Sequence, residues 1–266
     1  MMAALCPSVE PPASAGNPPA RFRVAVEFAV EDDLRFLSHR DEVRLLTRAV
    51  TRAGWPLAYS KGFNPRPRLT VPLPRTVGMA AMRQIALIDL AQPRSSTELH
   101  TSLRAQLPPG YDLHRVISPA SRRTPHAEAV TYHVELDEAD ARSVEARLTT
   151  VLGQRALPVT REHGPDRPSQ PIDIRPYIDQ LELDGCQLRL RLLFVEQRTA
   201  RPSEVITKLG LAADAYNHRI RRGDVHWNLE LAGPQDGPVT HERNQVGKEE
   251  NHEEHDAPHG RDEEDG

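Results

Sequence analysis

The chain has 266 residues, 38% apolar and 5% aromatic, with 34 Lys/Arg against 38 Asp/Glu and a net charge of −4. That length suits one large domain or two small ones. Two cysteines, Cys6 and Cys186, are too few for a disulfide framework, a cysteine-held iron–sulfur cluster or a Cys-rich zinc site built by this chain alone.

Residues 1–20 are mostly Ala, Pro, Ser and Gly and are expected to form a disordered leader, because they bury too little surface to offset ordering. In residues 21–30, RFRVAVEFAV, the side chains Phe22, Val24, Val26, Phe28 and Val30 share one face, the period of a strand. Ser38 reads as a helix N-cap with Asp41 at the third helical position. Val43, Leu46, Val50 and Ala53 carry that helix to a stop at Gly54. A proline-rich passage over 56–74 holds short strands near 57–60 and 69–73. Residues 83–90 read as a strand, 95–107 as a helix and 111–117 as a strand. Residues 21–120 therefore follow the β-α-β-β-α-β order of a ferredoxin-like unit.

Past a polar linker at 118–126 the pattern starts again and fills residues 127–231. Strand-like 130–136 leads into a helix over 137–152, a short extended piece over 156–161 and a loop over 162–171. Residues 177–183 and 187–195 form a hairpin around Asp184-Gly185. A helix over 202–211 begins with Pro202, and 219–230 is the last strand region. The expected fold class is thus α+β, with two successive ferredoxin-like (βαββαβ) units. Residues 232–266 lack apolar periodicity and are expected to be a disordered, acidic, His-rich tail. No run approaches the roughly 18 apolar residues of a membrane span, and the N-terminus lacks the pattern of a signal peptide. A cytoplasmic location with no membrane partner is expected.

Charge is unevenly spread. Between Gly233 and Gly266 eleven acidic residues face three basic ones, a balance of −8, which leaves +4 on the rest of the −4 chain. A basic body with an acidic tail suits an anionic partner, the tail competing for the basic face; simple solvation of the tail is the plainer reading. The tail's His252-Glu253-Glu254-His255 would hold a divalent metal only weakly, and no metal site is expected.

Arg40, Arg44, Arg48 and Arg52 recur every fourth residue. Each step on a helix is about 6 Å along the axis and 40° around it, so the four form one drifting stripe. Such a row repels itself by a few tenths of a kcal/mol per pair, and Asp41 and Glu42 relieve only its first turn. It suits a phosphate-bearing partner, or is an ordinary solvated face. The segment Tyr59-Ser60-Lys61-Gly62-Phe63-Asn64-Pro65-Arg66-Pro67-Arg68 is sharper. Pro65 and Pro67 fix two φ angles and hold Asn64 and Arg66 extended, while Gly62 allows a turn or a close approach. Stiffly held Lys61, Arg66 and Arg68 beside Tyr59 and Phe63 suit single-stranded nucleic acid, whose bases stack while the cations hold phosphates. Docking of a protein partner and a purely structural corner are the rival readings. His39, in the first helical turn, and Asp41 beside it are the candidates for acid–base work in RNA cleavage, and packing against a neighbouring loop is the plainer role of His39. Arg175 and Arg201 each precede a proline; they either complete a basic cleft or pair with Asp173 and Glu204.

The run LRFLSHRDEVRLLTRAVTRAGWPLAYSKGFNPRPRLTVPLP, followed by Val77-Gly78, closely resembles the radical SAM-associated (radical SAM-linked) family of bacterial proteins, a domain of unknown function. The resemblance extends over about residues 20–230 and includes IDIRPYI and ARPSEVI; FLSH-x-D and GFNP-x-P are its specific motifs. Arg40 stands where the family pattern is usually apolar, so the stripe's first arginine is not a shared feature. The resemblance implies association with a radical SAM protein that carries a cobalamin-binding-type domain. That partner would use S-adenosylmethionine and an iron–sulfur cluster, with cobalamin as an open third cofactor, and this chain would bind none of them. It lacks the cysteine trio for that chemistry and is expected to present a substrate, such as tRNA or rRNA, through Arg44, Arg48, Tyr59, Lys61, Phe63, Asn64, Arg66, Arg68 and Arg175. The alternatives are an endoribonuclease like the RAMP proteins of CRISPR systems, by fold-level analogy, and a purely protein-docking adaptor.

Overall fold

A computed structural model describes residues 22–119, 121–162 and 169–229. The expected leader and the acidic tail with its His252–His255 cluster lie outside the described residues. The first half runs β1 (Phe22–Val30), α1 (His39–Arg52), β2 (Leu69–Thr70), β3 (Ala80–Leu90), α2 (Ser96–Arg104) and β4 (Tyr111–Ile117). The second runs β5 (Ala127–Glu135), α3 (Glu138–Gly153), β6 (Pro158–Arg161), β7 (Gln170–Asp173), β8 (Ile178–Asp184), β9 (Gln187–Leu193), α4 (Pro202–Lys208), α5 (Ala213–Tyr216) and β10 (Ile220–Trp227). It is a mixed α+β protein with five α-helices among the described residues and a mostly antiparallel sheet.

That sheet has eight strands in the order β4-β1-β3-β10-β5-β9-β8, with β2 also paired to β3. Within the first half the order is therefore β4-β1-β3-β2, and within the second β10-β5-β9-β8. The last strand joins them. β10 runs antiparallel to β5 and parallel to β3 through Arg221 and Arg222, opposite Ala80 and Ala81. β2 takes the other end of the same β3 edge, at Leu87 and Ile88. Residues 162–171 read as loop in the sequence, yet β7 starts at Gln170, because Val159 and Ile172 pair across a small separate β6–β7 sheet.

Local chemistry explains the first helix. The Ser38 hydroxyl accepts the Asp41 N–H at 3.2 Å and donates to the Asp41 carboxylate at 2.7 Å, which satisfies an otherwise orphaned helix donor. Beyond Arg52, Gly54 takes φ +71°, a conformation costly for any residue with a Cβ, and the chain turns away. Leu46, Ala49 and Val50 of α1 are buried in one core with Val24, Val26, Phe28 and Val30 of β1 and Ala86, Ile88 and Leu90 of β3. A second core holds Val130, Tyr132 and Val134 of β5, Leu188, Leu190 and Leu192 of β9, Val144 of α3, Ile206 of α4 and Leu209 just past its end. Alternate β9 positions point away from that core, and Arg189 and Arg191 pair with Glu182 and Asp179 of β8.

The opposite face of the first half carries ion pairs. Arg23 meets Asp89 at 2.7 Å, and Glu27 is gripped by Arg83 and Arg115. Burial pushes the Glu27 carboxyl up, but hydrogen bonds and charge from the two arginines outweigh burial and hold it below the ordinary 4.5. A lowered folded-state value contributes stability above pH 4.5 that is lost as pH falls through the folded value. Glu204, lowered against the same burial penalty by Arg161 and the Arg201 N–H, acts in the same sense. The wild-type protein is thus expected to lose stability below pH 4.5. Glu27→Gln should cost about 1–2 kcal/mol at pH 7, since both arginines are partly exposed, and this deficit should shrink toward pH 3 in denaturant titrations. A deficit independent of pH would contradict the assignment.

Candidate functional site

The segment from Ala58 to Arg68 is a tied-down hairpin. Ser60 N–H donates to the Arg66 carbonyl at 2.8 Å, Arg66 N–H to the Ser60 hydroxyl at 3.0 Å, and Arg68 N–H to the Ala58 carbonyl at 2.9 Å. Its stem is anchored to β3, where Ala58 N–H donates to the Asp89 carbonyl and Asp89 N–H to the Arg68 carbonyl. Tyr59 bridges Pro67 across the stem. At the tip, Lys61, Phe63, Asn64 and Arg66 are all exposed, and Phe63 shows 101% of its reference surface. Gly62 has φ +153°, and a Cβ built there would meet nothing within 4 Å; it serves a turn rather than a close approach. Tyr59 is half exposed, whereas Arg68 is partly buried with a partnerless Nε.

The arginine stripe lines a separate groove of about 620 Å³ between α1 and residues 105–108. Asp41, Arg44, Arg48 and Arg52 form one wall, with apolar contributions from Leu37, Leu45 and Leu107. Arg40 does not line it. Arg44 leans on Asp41 at 3.1 Å, a half-exposed pair worth little against a stronger anion. Arg52 donates to the side chain and carbonyl of Gln106 at 3.3 and 3.0 Å. Arg48 makes no hydrogen bond or ion pair among the described residues. Hydrogen bonds from Ser38 and then Arg44 hold the Asp41 carboxyl below its usual range. His39 is the exposed first residue of α1, and no hydrogen bond joins it to Asp41. The hairpin tip does not line this groove.

Arg175 sits elsewhere. Its guanidinium donates to the carbonyls of Ile178 and Leu152 at 3.0 and 3.1 Å, clasping the end of α3 to the start of β8, and Asp173 accepts its backbone N–H. Glu204 pairs with Arg161 at 2.7 Å, leaving the Arg201 guanidinium without a hydrogen-bond partner among the described residues.

A third constellation escaped the sequence reading. Glu42 is wholly buried, on the inward stripe of α1, rather than beside the arginine stripe. It faces Arg75 and Arg222, both nearly inaccessible. The nearest approach, Arg75 Nε to Glu42 Oε1, is 3.5 Å, and neither Glu42 oxygen has a well-formed hydrogen-bond partner among the described residues. Burial pushes the Glu42 carboxyl up, offset only in part by the charges of Arg75, Arg222 and His39. Arg75 spends its other nitrogens on backbone, donating to the carbonyls of Leu34, Arg35 and Met79. Arg222 donates to the Leu73 carbonyl at 2.9 Å and keeps a partnerless Nε. Tyr111, whose hydroxyl also lacks a partner, is pushed to a higher pKa first by burial and then by the Glu42 charge. Arg75, Arg201 and Arg222 line a cavity of about 600 Å³.

Among the described residues no group of three His, Cys, Asp or Glu could hold a metal, and no helix is long and apolar enough to cross a membrane.

Residues 23–203 match a family described as "Uncharacterized protein conserved in bacteria" (DUF2344). No curated protein matches the chain. A crystal structure of an unknown protein from Galdieria sulphuraria aligns with 80% of this chain and 100% of its own, at 13% identity and a TM-score of 0.24. A likeness that weak carries no argument.

Proposed function

The chain belongs to this bacterial family of uncharacterized proteins, and on that footing we propose that it is an accessory protein of a radical SAM enzyme, holding an anionic substrate such as RNA. The observation that carries the substrate side is the hairpin tip. A fully exposed Phe63 between Lys61 and Arg66, on a stem locked to β3, offers a stacking surface flanked by cations, with the backbone of the stem already ordered before binding. Arg44 and Arg48 in the α1 groove add phosphate contacts, and Tyr59, Asn64 and Arg68 are secondary, whereas Arg175, its guanidinium spent on the Ile178 and Leu152 carbonyls, is left out of this surface. The enzyme side rests on the resemblance of FLSH-x-D and GFNP-x-P, together with two cysteines where a cluster needs three. S-adenosylmethionine, the iron–sulfur cluster and any cobalamin would then belong to the partner, and the complex would work in the cytoplasm. The strand orders β4-β1-β3-β2 and β10-β5-β9-β8 support reading each half as a ferredoxin-like unit, in which the fourth strand lies beside the first and the second is outermost.

The same bare aromatic favours a second reading, in which the tip docks into the partner enzyme and never touches RNA. Gentle purification of the tagged full chain from its native cells, with RNA crosslinking, separates the two. The first reading expects a co-purifying protein with a CxxxCxxC motif and crosslinked RNA, and Phe63→Ala should lose the RNA while keeping the protein. Loss of the protein, with RNA never seen, would establish docking. Recovery of neither would sink both.

A further inference from the structure

We propose that the cavity between the 73–79 segment and the start of α4 binds a small organic anion, with one phosphate or carboxylate group carried on a compact apolar or planar body. Three arginines line it, Arg75, Arg201 and Arg222, and no Asp or Glu does. Behind this wall Glu42 supplies one negative charge against the buried positive charges of both Arg75 and Arg222. One cation is therefore left over inside the protein, where charges normally occur in pairs.

The geometry says which arginines are available. Arg75 is committed to three backbone carbonyls. Arg222 is held in place by the Leu73 carbonyl and by its register opposite Tyr132 on β5, yet its Nε is unpartnered. The Arg201 guanidinium is exposed at the lip and makes no hydrogen bond or close ion pair among the described residues, though its charge is felt by Glu204. Arg201 and Arg222 line the same space, and a guanidinium at the lip with a second positive charge behind it suits a planar or tetrahedral oxyanion. Burial pulls the Arg222 pKa down to about 10, so it stays cationic at neutral pH.

The remaining walls are mixed, with Met79, Tyr132, Phe194 and Ile220 beside the polar Thr76, Thr199, Ser203 and Asn217, which suits a compact body that packs on an aromatic or aliphatic face and can also accept a hydrogen bond at its edge. A volume of about 600 Å³ falls in the range of small-molecule sites. Neither the hairpin tip nor Arg44 and Arg48 line this space, so the site stands apart from the RNA reading.

Calorimetric titration of the full chain with phenyl phosphate, benzoate and inorganic phosphate tests the proposal. Saturable one-to-one binding of phenyl phosphate or benzoate, tighter than that of inorganic phosphate, is expected. Arg201→Gln should weaken it at least about tenfold, the scale of one charge-assisted hydrogen-bond pair. Ser203→Trp, which fills the cavity from a partly exposed position, should abolish binding while the circular dichroism spectrum is unchanged. No saturable binding by either organic probe, inorganic phosphate binding equally well, or binding that survives both substitutions would overturn it.

Discussion

Arg75→Met is expected to lower the unfolding free energy by about 3–5 kcal/mol, the cost of removing one partner from a buried charge pair. Methionine roughly matches the volume, so cavity formation is a minor part of the loss. Three backbone carbonyls lose a donor, and Glu42, already without a well-formed hydrogen bond, loses its nearest cation. A second substitution isolates the electrostatic part. In the Arg75→Met background Arg222 alone faces Glu42, so Glu42→Gln would leave the buried Arg222 without a carboxylate and should cost about 1–3 kcal/mol more. The sign with pH follows. Glu42 has a raised folded-state value, so it binds more protons folded than unfolded, and stability declines as pH rises from 4.5 through that value. Losing Arg75 pushes the value further up, and the Arg75→Met deficit should therefore be smaller at pH 4.5 than at pH 7. Denaturant midpoints with unchanged m-values measure all three quantities. A loss below about 1 kcal/mol, or a gain in stability on adding Glu42→Gln, would show that the buried charge cluster is not what holds the 73–79 segment to α1.

Phe63→Ala is expected to weaken single-stranded RNA binding by about 1–3 kcal/mol, roughly fivefold to more than a hundredfold, the value of one stacked base. Its effect on stability should lie within about 0.5 kcal/mol, because a side chain that touches nothing has no packing to lose. That separation makes the variant informative. Phe63→Trp should retain or improve affinity, since the larger ring preserves the stacking surface, whereas Phe63→Leu should behave like alanine if stacking rather than apolar area is at work. Equal RNA affinity in wild type and Phe63→Ala would remove the hairpin from the binding surface.

Much of the architecture is legible in the sequence because it is set by local signals. Alternating Val24, Val26, Phe28 and Val30 and the Ser38–Asp41 cap need only their neighbours, and β4 occupies residues 111–117 as its pattern implies. The joining role of β10 is another matter. Pairing between Arg222 and Ala81 spans some 140 residues, and nothing in RIRRGDVHW marks which strand it will lie beside. β7 was hidden for a related reason: Gln170–Asp173 is polar and proline-bearing and becomes a strand only through β6. In the site, the stiff hairpin follows directly from Pro65 and Pro67. The buried cluster does not, although two signals were present. Glu42 lies one helical turn before Leu46, on the apolar stripe, and Arg222 shares a strand face with Ile220. Charge alone would place both in solvent, and the partners that keep them inside come from segments distant in the chain.

The most direct test of the anionic-substrate interface is the affinity of the full chain for a labelled single-stranded RNA as a function of salt. The account predicts a linear fall of log affinity with log salt concentration, about 0.7 in slope for each phosphate held. Neutralising the pair Arg44 and Arg48 to Gln should reduce the slope by roughly 1.4, while Phe63→Ala should lower affinity and leave the slope unchanged. Absent binding, or binding with a slope near zero that neither variant alters, would contradict it.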